Sequence, residues 1–305
     1  MHTAATVVAR LRSAGEVWEV APGMLALRGE TLQLFRSLEE LMRRLASRET
    51  ADEWQVPPAL PFETLARADY FASFPQWLTA AAHLHAGEAA LEQVANAADP
   101  ARAAVSALRP CPTALQPAIC YHVYAALSGT RLSAPRCCTV SGTCWRHEAG
   151  RFSPLERGWA FTMREIVCVG SAADVADFRT RGIDAAIALA RQLGLRTSLV
   201  QASDPFFAPS TRGRALLQRL RALKHELLLP LGDGRSVAAA SFNDHAQFFG
   251  DAFDIRDANG APATSGCVAY GIERWLLAVL VEHGTDPRNW PTQTAPATDD
   301  LWAAR

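Results

Sequence analysis

Residues 142–170, GTCWRHEAGRFSPLERGWAFTMREIVCVG, bring together the side chains most able to do chemistry in this chain. The spacing predicts two strands joined by a charged, turn-rich loop. Side chains alternate between faces along a strand, so Arg146 and Glu148 share one face of the first, and Phe161, Met163 and Glu165 share one face of the second. An arginine and two carboxylates are costly to bury without partners. Their concentration points to a polar ligand lying across the sheet, and a guanidinium fork suits phosphate in particular. Read without a ligand, the same stretch is a hairpin carrying surface salt bridges.

Further polar residues cluster near predicted strands. Ser241, Asn243 and His245 occur in SFNDHAQFFGDAF, and Ser203 to Phe207 form the turn-like SDPFF. AYGIERWLLAVL places Gly271 and Arg274 where a strand runs into an apolar helix. Seven cysteines, an odd number with no CxxC pair, are scattered through 305 residues. That pattern favours a reducing cytoplasmic setting, with thiols either buried or ligating a metal. There is no glycine-rich phosphate loop of the P-loop or dinucleotide-binding type.

The elements that position these residues read as an α+β chain. A short helix is expected over 3–13, then strand, turn and strand through EVWEVAPGMLALRG. Leu34, Leu38, Leu41, Met42 and Leu45 recur at helical spacing over 31–48. The alanine-rich 76–108 reads as helical, and Cys120 as part of a strand. A helix over 172–193 opens after Ser171, a good N-cap, and closes at Gly194. Another helix is expected over 211–227. It carries Arg212, Arg214, Arg219, Arg221 and Lys224, a face that could receive an acidic partner. Thirty basic against thirty-one acidic residues, net charge −1, leave no general nucleic-acid footprint. No apolar run reaches the length that spans a bilayer.

The motifs carry a resemblance. Arg-x-Glu, a loop arginine and a strand entered through Phe resemble motif 2 of class II aminoacyl-tRNA synthetases. AYGIERW resembles motif 3, and the helix, strand and Pro57 or Pro58 resemble motif 1, the dimer-forming unit. The implied fold is the class II synthetase catalytic core, an antiparallel sheet flanked by helices, over 1–284, with a flexible tail over 285–305. The resemblance implies an ATP site in which Arg146 holds the α-phosphate and Glu148 lies near the adenine. Arg157 would reach the γ-phosphate, Phe161 and Arg274 would cover the base from opposite sides, and Glu226 would serve Mg²⁺. Ser241, Asn243 and His245 would line the amino acid pocket.

Cys120, Glu165 and Cys267 resemble the zinc ligands of archaeal-type seryl-tRNA synthetases and of amino acid:[carrier protein] ligases, one ion per subunit with an open fourth position. The reduced core is similar to the carrier protein ligases. This implies a homodimeric cytoplasmic enzyme that activates a small amino acid, glycine or alanine, with ATP and passes it to the phosphopantetheine thiol of a carrier protein. Neither tRNA nor membrane is an expected partner. The alternatives are a seryl-tRNA synthetase-like enzyme acting on tRNA and a non-catalytic, zinc-containing synthetase paralogue.

Overall fold

A computed structural model describes residues 2–84, 87–148, 150–205, 207 and 221–291. Helix α1 (Ala4–Ser13) leads into a hairpin of β1 (Val17–Ala21) and β2 (Met24–Leu27), then the long α2 (Gly29–Arg48) and the short β3 (Asp52–Trp54). Next come β4 (Ala59–Pro61), α3 (Phe62–Arg67), α4 (Tyr70–Ser73), β5 (Ala80–Leu84), α5 (Glu88–Ala95), α6 (Pro100–Ala107), β6 (Leu108–Leu115) and α7 (Cys120–Ala126). Strands β4, β6 and β5 form a small separate sheet in that order. The remainder supplies β7 (Arg136–Trp145), β8 (Ala160–Gly170), α8 (Ala172–Gln192), β9 (Ser198–Gln201), β10 (Lys224–Pro230), β11 (Ser236–Asp244), α9 (Phe248–Phe253), β12 (Thr264–Gly271) and α10 (Ile272–His283).

The main sheet has seven strands in the order β3-β7-β8-β12-β11-β10-β9, antiparallel except for the β3–β7 pair. Its two faces do different things. Ile166, Cys168, Val268, Tyr270 and Phe242 point into a core shared with α2, α8 and α10. The alternate residues, Val140, Met163, Val167, Cys267 and Ala269, face a second cluster built with α7 and α9. Helix α2 buries Leu34, Leu38, Leu41, Met42 and Leu45, as its spacing predicts. Ser171 and Asp174 form a reciprocal capping box at the start of α8. Arg164, only 3% exposed, ties β8 to its neighbours through Glu39 of α2 (2.6 Å), Glu53 of β3 (3.0 Å) and Thr139 of β7 (3.1 Å). A buried guanidinium is tolerated only when paired in this way.

Several expectations need correction. Residues 76–108 are not one helical stretch, because β5 and the start of β6 pair with each other around α5 and α6. Cys120 is the first residue of α7 rather than part of a strand; Cys120, Tyr121, Val123 and Tyr124 are buried at helical spacing. Lys224–Pro230 is a strand held between β9 and β11, so the expected helix over 211–227 fails at 224–227; residues 208–220 lie outside the described residues. The leucines there have high helix propensity, and sheet pairing overrides it. Arg146 and Glu148 lie just beyond the end of β7, in the loop. Of the expected tail, residues 285–291 include a 3₁₀ turn at Pro287–Asn289, and Trp290 donates to the Gly284 carbonyl at 2.9 Å; residues 292–305 lie outside the described residues. Among the described residues no helix is long and apolar enough to cross a membrane.

Candidate active site and metal centre

The site occupies the second face of the main sheet. A cavity of about 680 Å³ opens there, and the residues expected to bind ATP, amino acid or zinc all line it, whereas of the described residues of SDPFF Asp204 alone does. Register explains how distant segments converge. Glu165 of β8 sits opposite Ala269 of β12, Asn243 of β11 opposite Cys267, and Glu226 of β10 opposite Ser241.

At one end, the Arg146 guanidinium lies over the rings of Trp77 (5.0 Å) and Phe161 (5.4 Å), and its Nε donates to the Pro117 carbonyl at 2.8 Å. Arg157 pairs with Glu148 at 3.2 Å across the loop between β7 and β8. Arg274, at the start of α10, donates to the carbonyls of Glu156 (2.8 Å) and Ala238 (2.7 Å). Burial pushes its pKa down, and Arg146 nearby adds to this. All three arginines line the cavity, where their guanidinium forks could donate to phosphate oxygens. Beside them, Glu273 accepts from the Thr162 N–H at 2.8 Å through Oε1, while its Oε2 is buried without a partner; burial pushes this carboxyl up to about 7.

At the other end, the ligating atoms of Cys120, Glu165 and Cys267 all lie within 4.8 Å of one another, and all three residues are buried. Glu165 Oε2 accepts from the backbone N–H groups of Ile119 (2.8 Å) and Cys120 (2.5 Å), which leaves Oε1 for a metal. Burial, with Cys267 close by, pushes the Glu165 carboxyl up to about 7. A hydrogen bond from Cys120, together with the neighbouring His245, holds Cys267 well down towards thiolate. Two sulfurs and a carboxylate this close fit a tetrahedral zinc ion, whose bonds of about 2.0–2.3 Å leave a fourth position open.

The polar residues of β11 attach to this centre. Asn243 Nδ2 donates to Cys267 Sγ at 3.3 Å and to Ser241 Oγ at 3.2 Å. His245 Nε2 lies 3.8 Å from Cys267 Sγ. Lys224, expected on a charged helix face, instead lines the cavity: it is largely buried, pairs with Asp204, and lies 3.3 Å from Glu226. The signal was Lys224 and Glu226 at strand spacing, hidden once the segment was read as helix.

This architecture is that of the class II aminoacyl-tRNA synthetase catalytic core. Among solved structures, the chain aligns with Methanopyrus kandleri seryl-tRNA synthetase, in complex with A. aeolicus tRNASec, at a TM-score of 0.83 and 23% identity, over 94% of this chain and 59% of that one. It also aligns with Giardia lamblia prolyl-tRNA synthetase in complex with prolyl-adenylate, at a TM-score of 0.70 and 15% identity, over 92% of this chain and 54% of that one. At these identities the likeness concerns the fold.

Among characterised proteins, the chain is 38% identical over 264 residues to amino acid–[acyl-carrier-protein] ligase 1 of Bradyrhizobium diazoefficiens, covering 84% of this chain and 80% of the relative. Ligase 2 of the same organism is 36% identical over 264 residues, covering 85% and 78%. The type-2 serine–tRNA ligase of Methanopyrus kandleri is 29% identical over 171 residues, 52% of this chain and 32% of that protein. No family model matches the chain. The chain belongs to the amino acid–[acyl-carrier-protein] ligase family.

Proposed function

We propose that this protein activates a small amino acid with ATP as an aminoacyl-adenylate and transfers it to the phosphopantetheine thiol of a carrier protein. The observation that carries this reading is one cavity holding a three-arginine cluster at one end and a Cys–Glu–Cys set at the other. Its relatives' names give the acceptor class.

In this reading Arg146 holds the α-phosphate and Arg157 the γ-phosphate. Phe161 and Arg274 cover the adenine from its two faces, with Glu148 beside it, and Glu226 serves ATP-bound Mg²⁺. The amino acid carboxylate attacks the α-phosphorus and pyrophosphate leaves. The arginines stabilise the negative charge that builds up on the phosphoryl oxygens. Cys120, Glu165 and Cys267 would hold a zinc ion, which would supply a Lewis-acid site for the substrate's neutral amine. Ser241 and Asn243 fix the orientation of the bound amino acid, so that the carboxylate is presented in line. The carrier's thiol then displaces AMP and forms the thioester. We further propose glycine or alanine as substrate and a cytoplasmic homodimer as the working form.

The test is ATP–pyrophosphate exchange with a panel of amino acids, followed by intact-mass analysis of a phosphopantetheinylated carrier and a parallel tRNA aminoacylation assay. Exchange with glycine or alanine and a carrier mass raised by one aminoacyl group support the proposal. Charged tRNA with an unmodified carrier would replace it with the synthetase alternative. No exchange with any amino acid would favour a non-catalytic paralogue.

A further inference from the structure

His245 lies in the cavity, yet its hydrogen bonds run to protein atoms. Nδ1 is 3.2 Å from the Tyr124 hydroxyl and 3.2 Å from Ser265 Oγ, and Nε2 is 3.8 Å from Cys267 Sγ. Its backbone is fixed as well: the His245 N–H donates to the Ser265 carbonyl at 2.8 Å, and the Ser265 N–H to the Ala246 carbonyl at 3.0 Å. The ring is wedged edge-to-face against Phe249 (4.9 Å) and Tyr124 (6.0 Å), and those two rings stack on each other at 4.0 Å. This imidazole has one orientation, and each of its nitrogens has an assigned neighbour.

The chemistry of those neighbours fixes the tautomer. A metal-bound Cys267 is a thiolate and can only accept, so a bare Nε2 lone pair facing it would be repelled. Two hydroxyls face Nδ1, and a hydroxyl can donate to a lone pair. The consistent assignment puts the proton on Nε2, directed at the sulfur, with Nδ1 accepting from Tyr124 and Ser265. Asn243 Nδ2 already donates to the same sulfur at 3.3 Å. Cys267 therefore carries two N–H donors, and no such donor is directed at the Cys120 sulfur among the described residues.

We propose that His245 is a positioning residue of the metal centre: its Nε2–H, oriented by Tyr124 and Ser265, donates to the Cys267 thiolate and sets how tightly the centre holds its metal. This inference rests on the zinc reading above and goes beyond it. Donation to a thiolate withdraws charge from the sulfur and fixes the direction of its remaining lone pairs. Partners of this kind outside the ligand set change metal affinity about 10- to 100-fold when removed.

The test measures zinc affinity by competition with a chromophoric chelator, and the sulfur-to-cobalt charge-transfer band of the cobalt-substituted protein. The proteins are wild type, His245→Ala, His245→Gln and the double variant Tyr124→Phe with Ser265→Ala. Thermal unfolding of the metal-free forms serves as the control for packing. We expect His245→Ala to weaken zinc about 10- to 100-fold and shift the cobalt band, while His245→Gln, whose amide N–H can reach the sulfur, stays within about threefold of wild type.

The double variant keeps the imidazole but frees its ring, and is expected to fall between the two. Wild-type affinity and an unmoved band in His245→Ala overturn the proposal. A glutamine variant as weak as the alanine variant overturns it too, because ring packing would then be the cause. If His245→Ala does not fold, an unchanged affinity in the double variant overturns it. A wild-type protein that binds no zinc overturns the metal reading itself, and this proposal with it.

Discussion

The backbone N–H of Cys120 donates to Oε2 of Glu165 at 2.5 Å, so two members of the Cys–Glu–Cys set are joined before any metal arrives. The first turn of α7 and the middle of β8 are fixed to each other through the carboxylate that also faces the centre. Glu165 thus commits one oxygen to the backbone and, in the proposed reading, offers the other to the metal.

A carboxylate one methylene shorter cannot serve both ends. Glu165→Asp is expected to lose most of its zinc, as is Cys267→Ser, and both are expected to lose ATP–pyrophosphate exchange. Elemental analysis of the purified proteins checks this, with about one zinc per chain expected in wild type. Full zinc content in either variant would remove that residue from the ligand set.

Arg146 and Arg274 differ in how much structure hangs on them. Arg274 satisfies two backbone carbonyls, of Glu156 and Ala238, and Arg146 one, of Pro117. Both alanine variants are expected to lose exchange by about 10²–10³-fold. Arg274→Ala should also lower unfolding stability by about 2–4 kcal/mol, more than Arg146→Ala, because it strands two acceptors. Denaturant titration alongside exchange separates the effects, and near-normal exchange in either variant excludes that residue from ATP binding.

Much of this site was legible because its residues sit at motif spacings that survive translation into structure. The β7–β8 pair and the β12–α10 junction follow from short-range pattern, whereas the choice of Arg146, Phe161 and Arg274 came from the resemblance to the class II synthetase motifs. What was illegible depends on partners distant in sequence. CYHVYAALSG is apolar enough for either strand or helix, and only its packing against Phe249 of α9 decides for helix. KHELLLP is leucine-rich, yet its place between β9 and β11 makes it a strand. With that strand comes Lys224, whose burial no local signal announces.

The Glu273 carboxyl is held up at about 7, against an ordinary 4.5, by burial. Between those values the folded protein keeps a proton that the unfolded chain has released. Its contribution to stability is therefore full below pH 4.5, falls as pH rises towards 7, and stays lost above. At about 1.4 kcal/mol per unit, the fall amounts to about 3.5 kcal/mol at most. Glu273→Gln keeps an acceptor for the Thr162 N–H and should remove this slope. Glu165 has the same sign in the metal-free protein, so the decisive quantity is the difference between wild-type and Glu273→Gln stability from pH 4.5 to 8. A difference that does not change with pH would contradict the assignment.

A Cβ at Gly182 of α8 would come within 2.5 Å of Val268 Cγ2, immediately next to Cys267 in β12. Gly182→Ala should cost about 1–3 kcal/mol through overpacking, despite alanine's better helix propensity. The strand that carries Cys267 would be displaced, so weaker zinc retention is expected with it. Denaturant unfolding and metal analysis of the variant test both; unchanged stability would mean that α8 yields freely.

The alternation of the main sheet has an evolutionary reading. Odd-numbered positions of β8 and β12 carry Glu165, Cys267 and Ala269, while the even-numbered ones between them carry Ile166, Val268 and Tyr270 of the core. Single substitutions at the odd positions can change what the cavity accepts without disturbing the framework. A one-residue insertion in either strand would exchange the two sets at once and ruin both. Lineages built on this sheet are therefore free to drift in substrate by point mutation, and are forbidden to do so by changes of strand length.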